Sequence, residues 1–433
     1  MKHSIALAIF GATASAATAD GVARKCTSYP FPEFVCMHRY GSVLPLDFVR
    51  TENLTFGQQT TYGSTLVPND PSFSNVANTT FLVWDEKLAQ EILGEDPVYE
   101  FMFKIDESIH EAPVYVPDTN ELFFSKLKRN WLAQYVVDFN NDPPTLSEKT
   151  ASPPIYAPTG ARYRDGLIYF AVGGGNASLE GHAFRPGIYS LNPKTMESKA
   201  VVNNYYGHYF NLVDDLDIDA HGNIWFTDNL LARNAHINTE APQIGAATYR
   251  FSPRTGAVSV VDDTLQAPNG LAFSPPDDGR RTLYLSDTGA GVPMIDPRVP
   301  WQDVPGIAWN GTRKRTVYAY DVVDDENDEN DDEGKGSAAV AAAPWLKNKR
   351  PIYAAMEYVP DGLKVAANGY VLTGAGKGVD VLEAGSGRPV LRVQTNFTAV
   401  NFDFVGEERR DELWIVGQGG VARVKWNLTG PVF

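Results

Sequence analysis

The order of apolar and polar residues along this chain repeats one short theme. An apolar run is followed by a turn rich in Asp, Asn or Gly, and then by a second apolar run dense in Tyr, Phe, Trp, Val, Ile and Leu. The theme recurs at Val114–Phe124 (VYVPDTNELFF), Ala161–Ala171 (ARYRDGLIYFA), Leu216–Thr227 (LDIDAHGNIWFT), Leu271–Leu285 (LAFSPPDDGRRTLYL), Leu363–Thr373 (LKVAANGYVLT) and Phe402–Val416 (FDFVGEERRDELWIV). Each reads as a β-hairpin, because β-branched and aromatic residues favour strands while Asp, Asn and Gly favour tight turns. The copies are mostly spaced by about 45 to 60 residues, the length of one four-stranded blade with its connections. The pattern therefore predicts an all-β fold, a six-bladed β-propeller over residues 81–433. Helical periodicity is nearly absent. At Asp85–Leu93 the residues Leu88, Ile92 and Leu93 share one face, which predicts a short helix before the first blade.

Two stretches fall outside the theme. At the N-terminus, Lys2 and His3 precede an apolar run, Ser4–Ala14, and the small residues Ala17, Thr18 and Ala19 precede Asp20. This is the pattern of a secretory signal peptide over residues 1–19, with an apolar run shorter than the roughly 20 residues that span a bilayer. A secreted, extracellular protein is expected, in which residues 20–80 form an N-terminal extension. The only two cysteines, Cys26 and Cys36, lie in that extension. In an oxidising compartment they are expected to form a disulfide; a metal pair would need more ligands than His38 supplies. The second stretch, 324–344, opens with the acidic run DDENDENDDE. It has too little apolar content to join a core and reads as a solvated insertion. Its Asp328, Asn330 and Asp332 are followed by Glu333 where an EF-hand loop needs glycine, leaving weak calcium binding as the lesser alternative.

Asn53, Asn78, Asn176, Asn310, Asn396 and Asn427 each begin an Asn-x-Ser/Thr sequon, and behind a signal peptide N-glycans are expected on them. The formal net charge of −16 argues against nucleic-acid and anionic membrane partners. No Gly-x-Ser-x-Gly elbow occurs, His110–Glu111 lacks the second histidine of a zincin, and Gly374–Gly378 (GAGKG) lacks the spacing of a phosphate loop.

What precedes the first strand of each hairpin carries the chemistry. Glu111, Asp214, Asn269 and Asp361 share one phase relative to their hairpins, with Thr159 and Asn401 at similar positions. First strands of propeller blades line the central channel, so residues at this phase converge on one ring at its mouth. Carboxylate and amide oxygens arranged in this way suit a hard cation. The plain alternative is that Asp and Asn before a strand serve their own turns; recurrence of the phase in four copies weighs against it.

His110–Val116 (HEAPVYV), Asn203–Asp228, Pro268–Asp287 (PNGLAFSPPDDGRRTLYLSD) and Pro360–Val381 resemble the family of gluconolactonases, regucalcin and luciferin-regenerating enzyme, most nearly its fungal lactonohydrolase branch. The resemblance runs in the same order from about Phe81 to the C-terminus. It implies a calcium or similar divalent ion held by a Glu, two Asn and an Asp, matched here by Glu111, Asn269 and Asp361. The first Asn falls where this chain has Asp214, a departure that adds a charge to the ligand set. Ca2+ suits an oxygen-only set, with Zn2+, Mg2+ or Mn2+ as alternatives. The resemblance further implies hydrolysis of a small-molecule lactone with Asp361 as general base. His110, adjoining Glu111, and His208 are second candidates for a base that works near neutral pH. Two other functions stay open: a non-hydrolytic cyclisation or condensation in a biosynthetic pathway, as strictosidine synthase illustrates on a related architecture, and a non-catalytic binding propeller.

Overall fold

Each of the six hairpins is present as a pair of antiparallel strands. The computed structural model describes residues 21–38, 41–50, 60–275, 281–293, 296–323, 344–406 and 410–431. The expected signal peptide at 1–19, the sequon at Asn53 and the acidic run within 324–343 lie outside the described residues.

The protein is an all-β propeller with five four-stranded blades, one larger sheet and a two-stranded hairpin of Asn176–Leu179 with His182–Phe184. The first strands of the four-stranded blades are Val114–Val116, Pro158–Arg164, Val213–Ile218, Pro268–Phe273 and Thr398–Val405. The blade that begins with Thr398–Val405 takes its outer strand, Val98–Lys104, from ahead of the first blade, so that the two ends of the propeller close on one sheet. The larger sheet has seven strands: Pro360–Val365, Val371–Ala375, Gly378–Leu382 and Pro389–Gln394, followed outward by Phe81–Val83, Phe34–Met37 and Ala23–Lys25. The expectation of a six-bladed propeller is corrected: five units are four-stranded blades, and the sixth hairpin belongs to the larger sheet. The hairpin theme reports the first two strands of a unit and is blind to what covers its outer edge. Here Phe81–Val83 pairs with the edge strand Pro389–Gln394, and Phe34–Met37 then adds in parallel, which leaves that edge unavailable to other chains.

The added strands are locked in place from both sides. Tyr29, Phe34 and Phe81 stack in series, with centroids 4.7 and 4.6 Å apart, and Cys26 and Cys36 form the expected disulfide with Cα atoms 5.0 Å apart. Arg392, fully buried in the same sheet, pairs with Asp380 and Glu357 at 2.6 Å each. The other oxygen of Glu357 accepts the backbone N–H of Tyr62 at 2.5 Å, so the charge cluster also holds the N-terminal segment. The predicted helix spans Glu86–Leu93, capped by Asp85, whose carboxylate accepts the Leu88 N–H at 3.1 Å, and it buries Ile92 and Leu93. Of the described sequon asparagines, Asn78, Asn310, Asn396 and Asn427 are exposed and Asn176 is half-buried.

Candidate functional site

The phase shared by Asp214, Asn269 and Asp361 has a structural cause. In each of their strands the pairing slips, so that two residues stand opposite one: Asp214 and Asp215 face Thr227, Asn269 and Gly270 face Ser286, and Asp361 and Gly362 face Gly374. Such a bulge breaks the alternation of side chains and re-aims one of them. The glycines are required by crowding: a Cβ on Gly270 would strike the carbonyl oxygen of Asp361, and one on Gly362 would strike the amide of Asn401. The hydroxyls opposite the bulges then fasten neighbouring sheets together. Thr227 donates to the carbonyl of Asn269 at 2.6 Å, and Ser286 donates to that of Asp361 at 2.9 Å.

Glu111, Asn269 and Asp361 line one cavity, whose volume with the space at its mouth is about 520 Å³. Asp214 is 2% exposed and does not line it, yet the charge of Asp361 acts on it. Two amides steady the carboxylates: Asn401 donates to Glu111 Oε2 at 3.1 Å, and Asn229 donates to Asp214 Oδ2 at 2.6 Å. Asp215 lies between strands, its oxygens accepting the N–H groups of Leu216 and Leu271 at 2.8 and 3.0 Å. Thr159 is occupied by the carbonyls of Val213 and Ala171. Ala112 and Tyr358, near Glu111 and Asp361, hold φ values of 55° and 45°, uncommon for residues with a side chain.

The electrostatics are one-sided. Burial, and then the charges of Asp361 and Asp214, push Glu111 well above the usual carboxylate range. Asp214 is raised by burial and by Asp361. Burial raises Asp361 to about 7 despite a hydrogen bond from Asn269, and Asp215 adds to the rise. One oxygen of Asp361, Oδ1, is buried without a hydrogen-bond partner. None of the described residues lining the cavity is Lys, Arg or His. Desolvated like charges with an orphaned oxygen fit a hard divalent cation in both sign and donor chemistry. The carboxylates are not drawn tightly together: among the described residues, the one trio of His, Cys, Asp or Glu donors within 4.8 Å of one another is Cys26, Cys36 and Glu86, where both sulfurs are already bonded.

The two histidines lie elsewhere. His110 is fully buried between Phe124 and Tyr135; its Nδ1–H donates to the Gly417 carbonyl at 2.8 Å, and its Nε2 faces Asp106 at 3.8 Å. Burial lowers its pKa, although the Gly417 carbonyl and Asp106 act against this. His208 is exposed in a turn bridged to Tyr205. Neither lines the cavity.

Residues 109–295 match the SMP-30/Gluconolactonase/LRE-like region. Lactonohydrolase oryL of Aspergillus oryzae is 53% identical over 407 residues, covering 94% of this chain and 88% of the relative. Lactonohydrolase oryH of the same organism is 48% identical over 480 residues, covering 99% and 98%. The chain belongs to the gluconolactonase-like family. Within that family it stands with fungal lactonohydrolases, as the sequence motifs imply. A gluconolactonase from Xanthomonas campestris superposes with a TM-score of 0.58 at 20% identity, covering 81% of this chain and 94% of that one. A luciferin-regenerating enzyme superposes with a TM-score of 0.51 at 16% identity, covering 78% and 98%. At these identities they share the propeller fold. The matched family region contains Glu111, Asp214 and Asn269, and Asp361 lies beyond it.

Sequence reasoning placed Asn401 near the ring without a role and overlooked Asn229, Thr227 and Ser286. A hydroxyl residue after an aromatic or apolar pair near the end of the second strand (Phe226-Thr227, Leu285-Ser286) is the signal that marks the last two.

Proposed function

We propose that this protein is a secreted, metal-dependent lactonase. One observation carries the reading: a desolvated set of carboxylates converges at the channel mouth with an orphaned Asp361 oxygen and no cationic side chain among the described lining residues. The names of the relatives, lactonohydrolases and gluconolactonase, supply the reaction class. Glu111, Asp214, Asn269 and Asp361 would hold one divalent ion, for which oxygen-only donors favour calcium. When bound, the ion would supply Lewis-acid polarisation of the lactone carbonyl.

The chain's own part is to bind, orient and move a proton. Asp361 Oδ1 accepts a proton from a water, whose oxygen bonds to the carbonyl carbon. The ring C–O bond then breaks, and the departing alkoxide takes the proton from Asp361, giving a hydroxy acid. Asn401 and Asn229 keep Glu111 and Asp214 oriented throughout. Asp361 serves as base in preference to His110 and His208, which do not reach the cavity. The leader-like segment 1–19, the Cys26–Cys36 disulfide and the exposed sequons support an extracellular, glycosylated enzyme.

Asp361→Asn tests the reading. Loss of lactone hydrolysis with one ion still bound, measured by elemental mass spectrometry, is the expected result. Undiminished hydrolysis would remove Asp361 from the mechanism, and a bound ion in a wild-type protein that hydrolyses no lactone would favour a binding or biosynthetic propeller.

A further inference from the structure

Apart from the acidic ring, the cavity wall is mostly apolar. Ile109, Leu231, Val292, Ile307, Val359 and Val400 supply most of it. They come from irregular segments as well as from strand ends. Val292 and Ile307 belong to the long connection between Arg281–Asp287 and Thr316–Val323 in the fourth blade, and Leu231 opens the short helix Leu231–Asn234. These segments are held in place. Leu231 donates its N–H to Asn229 Oδ1 at 2.8 Å, and the same Asn229 holds Asp214. Ala290, Trp309 and Val359 form one packed cluster with Tyr358 against it, where a Cβ on Gly291 would come within 2.9 Å of the Tyr358 hydroxyl. Polar side chains outside the ring are few: Thr288, Tyr358, Thr398 and Gln418. Of these, Thr288 already donates to the Ala267 carbonyl at 3.2 Å.

Resting on the lactonase reading, we propose that the substrate is a lactone bearing an alkyl or aryl substituent, with the ester placed at the acidic ring and the substituent against the Val292–Ile307 wall. A polyhydroxylated sugar lactone would bring several hydroxyl groups into contact with aliphatic side chains that cannot bond them. Each buried hydroxyl without a partner costs roughly tenfold or more in recognition. An alkyl group instead gains roughly fourfold for each methylene removed from water.

The test is kcat/KM of the metal-loaded full chain on δ-lactones whose side chain grows from none to four carbons, set beside glucono-δ-lactone. The expected result is a rise of about fourfold per methylene, roughly 200-fold across the series, with glucono-δ-lactone below the unsubstituted ring. Ile307→Asn should reduce the ratio between the longest and the unsubstituted lactone by about tenfold. A flat series, or glucono-δ-lactone equalling the longest alkyl lactone, would overturn the substrate class while leaving the lactonase reading intact. Should no lactone be hydrolysed, calorimetric titration with the matching alkyl δ-lactams decides. Binding that tightens with chain length would support an apolar ligand and refute hydrolysis, and absence of binding would overturn both.

Discussion

The same inner strands carry two charged layers, and the layers are built on opposite terms. Near one end of the channel stand Glu111, Asp214, Asn269 and Asp361, with no cationic side chain among the described residues lining the cavity that Glu111, Asn269 and Asp361 share. Further along the same strands, Asp217 pairs with Arg162 at 2.9 Å and Asp403 with Lys364 at 3.7 Å, around a second cavity of about 550 Å³. The far layer neutralises itself. The near layer does not, and its acids are pushed up by burial and mutual repulsion. Buried charges persist when paired or bound to a metal, so the contrast supports the near layer as the site of the proposed cation. Asp215 lies between the two: Lys364 and Arg162 favour its charge, and that charge raises its neighbours in the ring.

The contrast can be broken most sharply at Asp361. Asp361→Asn keeps the shape and removes the base, so kcat/KM should fall by about 10²- to 10⁴-fold in steady-state assays. In the far layer, Arg162→Met leaves Asp217 buried without its partner. Loss of one member of a buried pair costs about 3–5 kcal/mol, and the N–H groups of Ile218 and Phe273 that also reach Asp217 should hold the loss near the lower figure. Denaturant unfolding should show that loss equally with and without calcium, since this layer makes its own balance. Asn401→Ala frees Glu111 without touching the ion, and the affinity for the ion, by titration against a chelator, should drop about 10- to 100-fold.

A smaller effect concerns pH. In chelated protein, Glu111, Asp214 and Asp361 have folded pKa values above their unfolded ones, near 4. Their contribution to stability is therefore fully present below about pH 4 and is lost as pH rises through about 7, where Asp361 ionises. Thermal unfolding of the chelated form should weaken over that range, and saturating calcium should abolish the decline.

The hairpins and the shared phase of Asp214, Asn269 and Asp361 were legible because both follow from local rules: alternation, turn residues, and a Pro-Asn-Gly or Pro-Asp-Gly that opens a strand. The glycine of that motif makes sense only in three dimensions, since Gly270 and Gly362 yield space to atoms of the next strand around the ring. The seven-stranded sheet was not legible, because nothing in Phe34–Met37 names Phe81–Val83 as its partner. His110 adjoins Glu111 in sequence yet points between Phe124 and Tyr135, since neighbouring residues of an extended segment face opposite ways. The apolar wall of the cavity was equally hidden, because Leu231, Val292 and Ile307 come from irregular connections without periodicity.

The most direct measurement is the metal content of the purified protein, paired with lactone hydrolysis before and after chelation. The account predicts one divalent ion per chain, hydrolysis lost on its removal and restored by calcium. Full hydrolysis by a protein shown to hold no ion would contradict it.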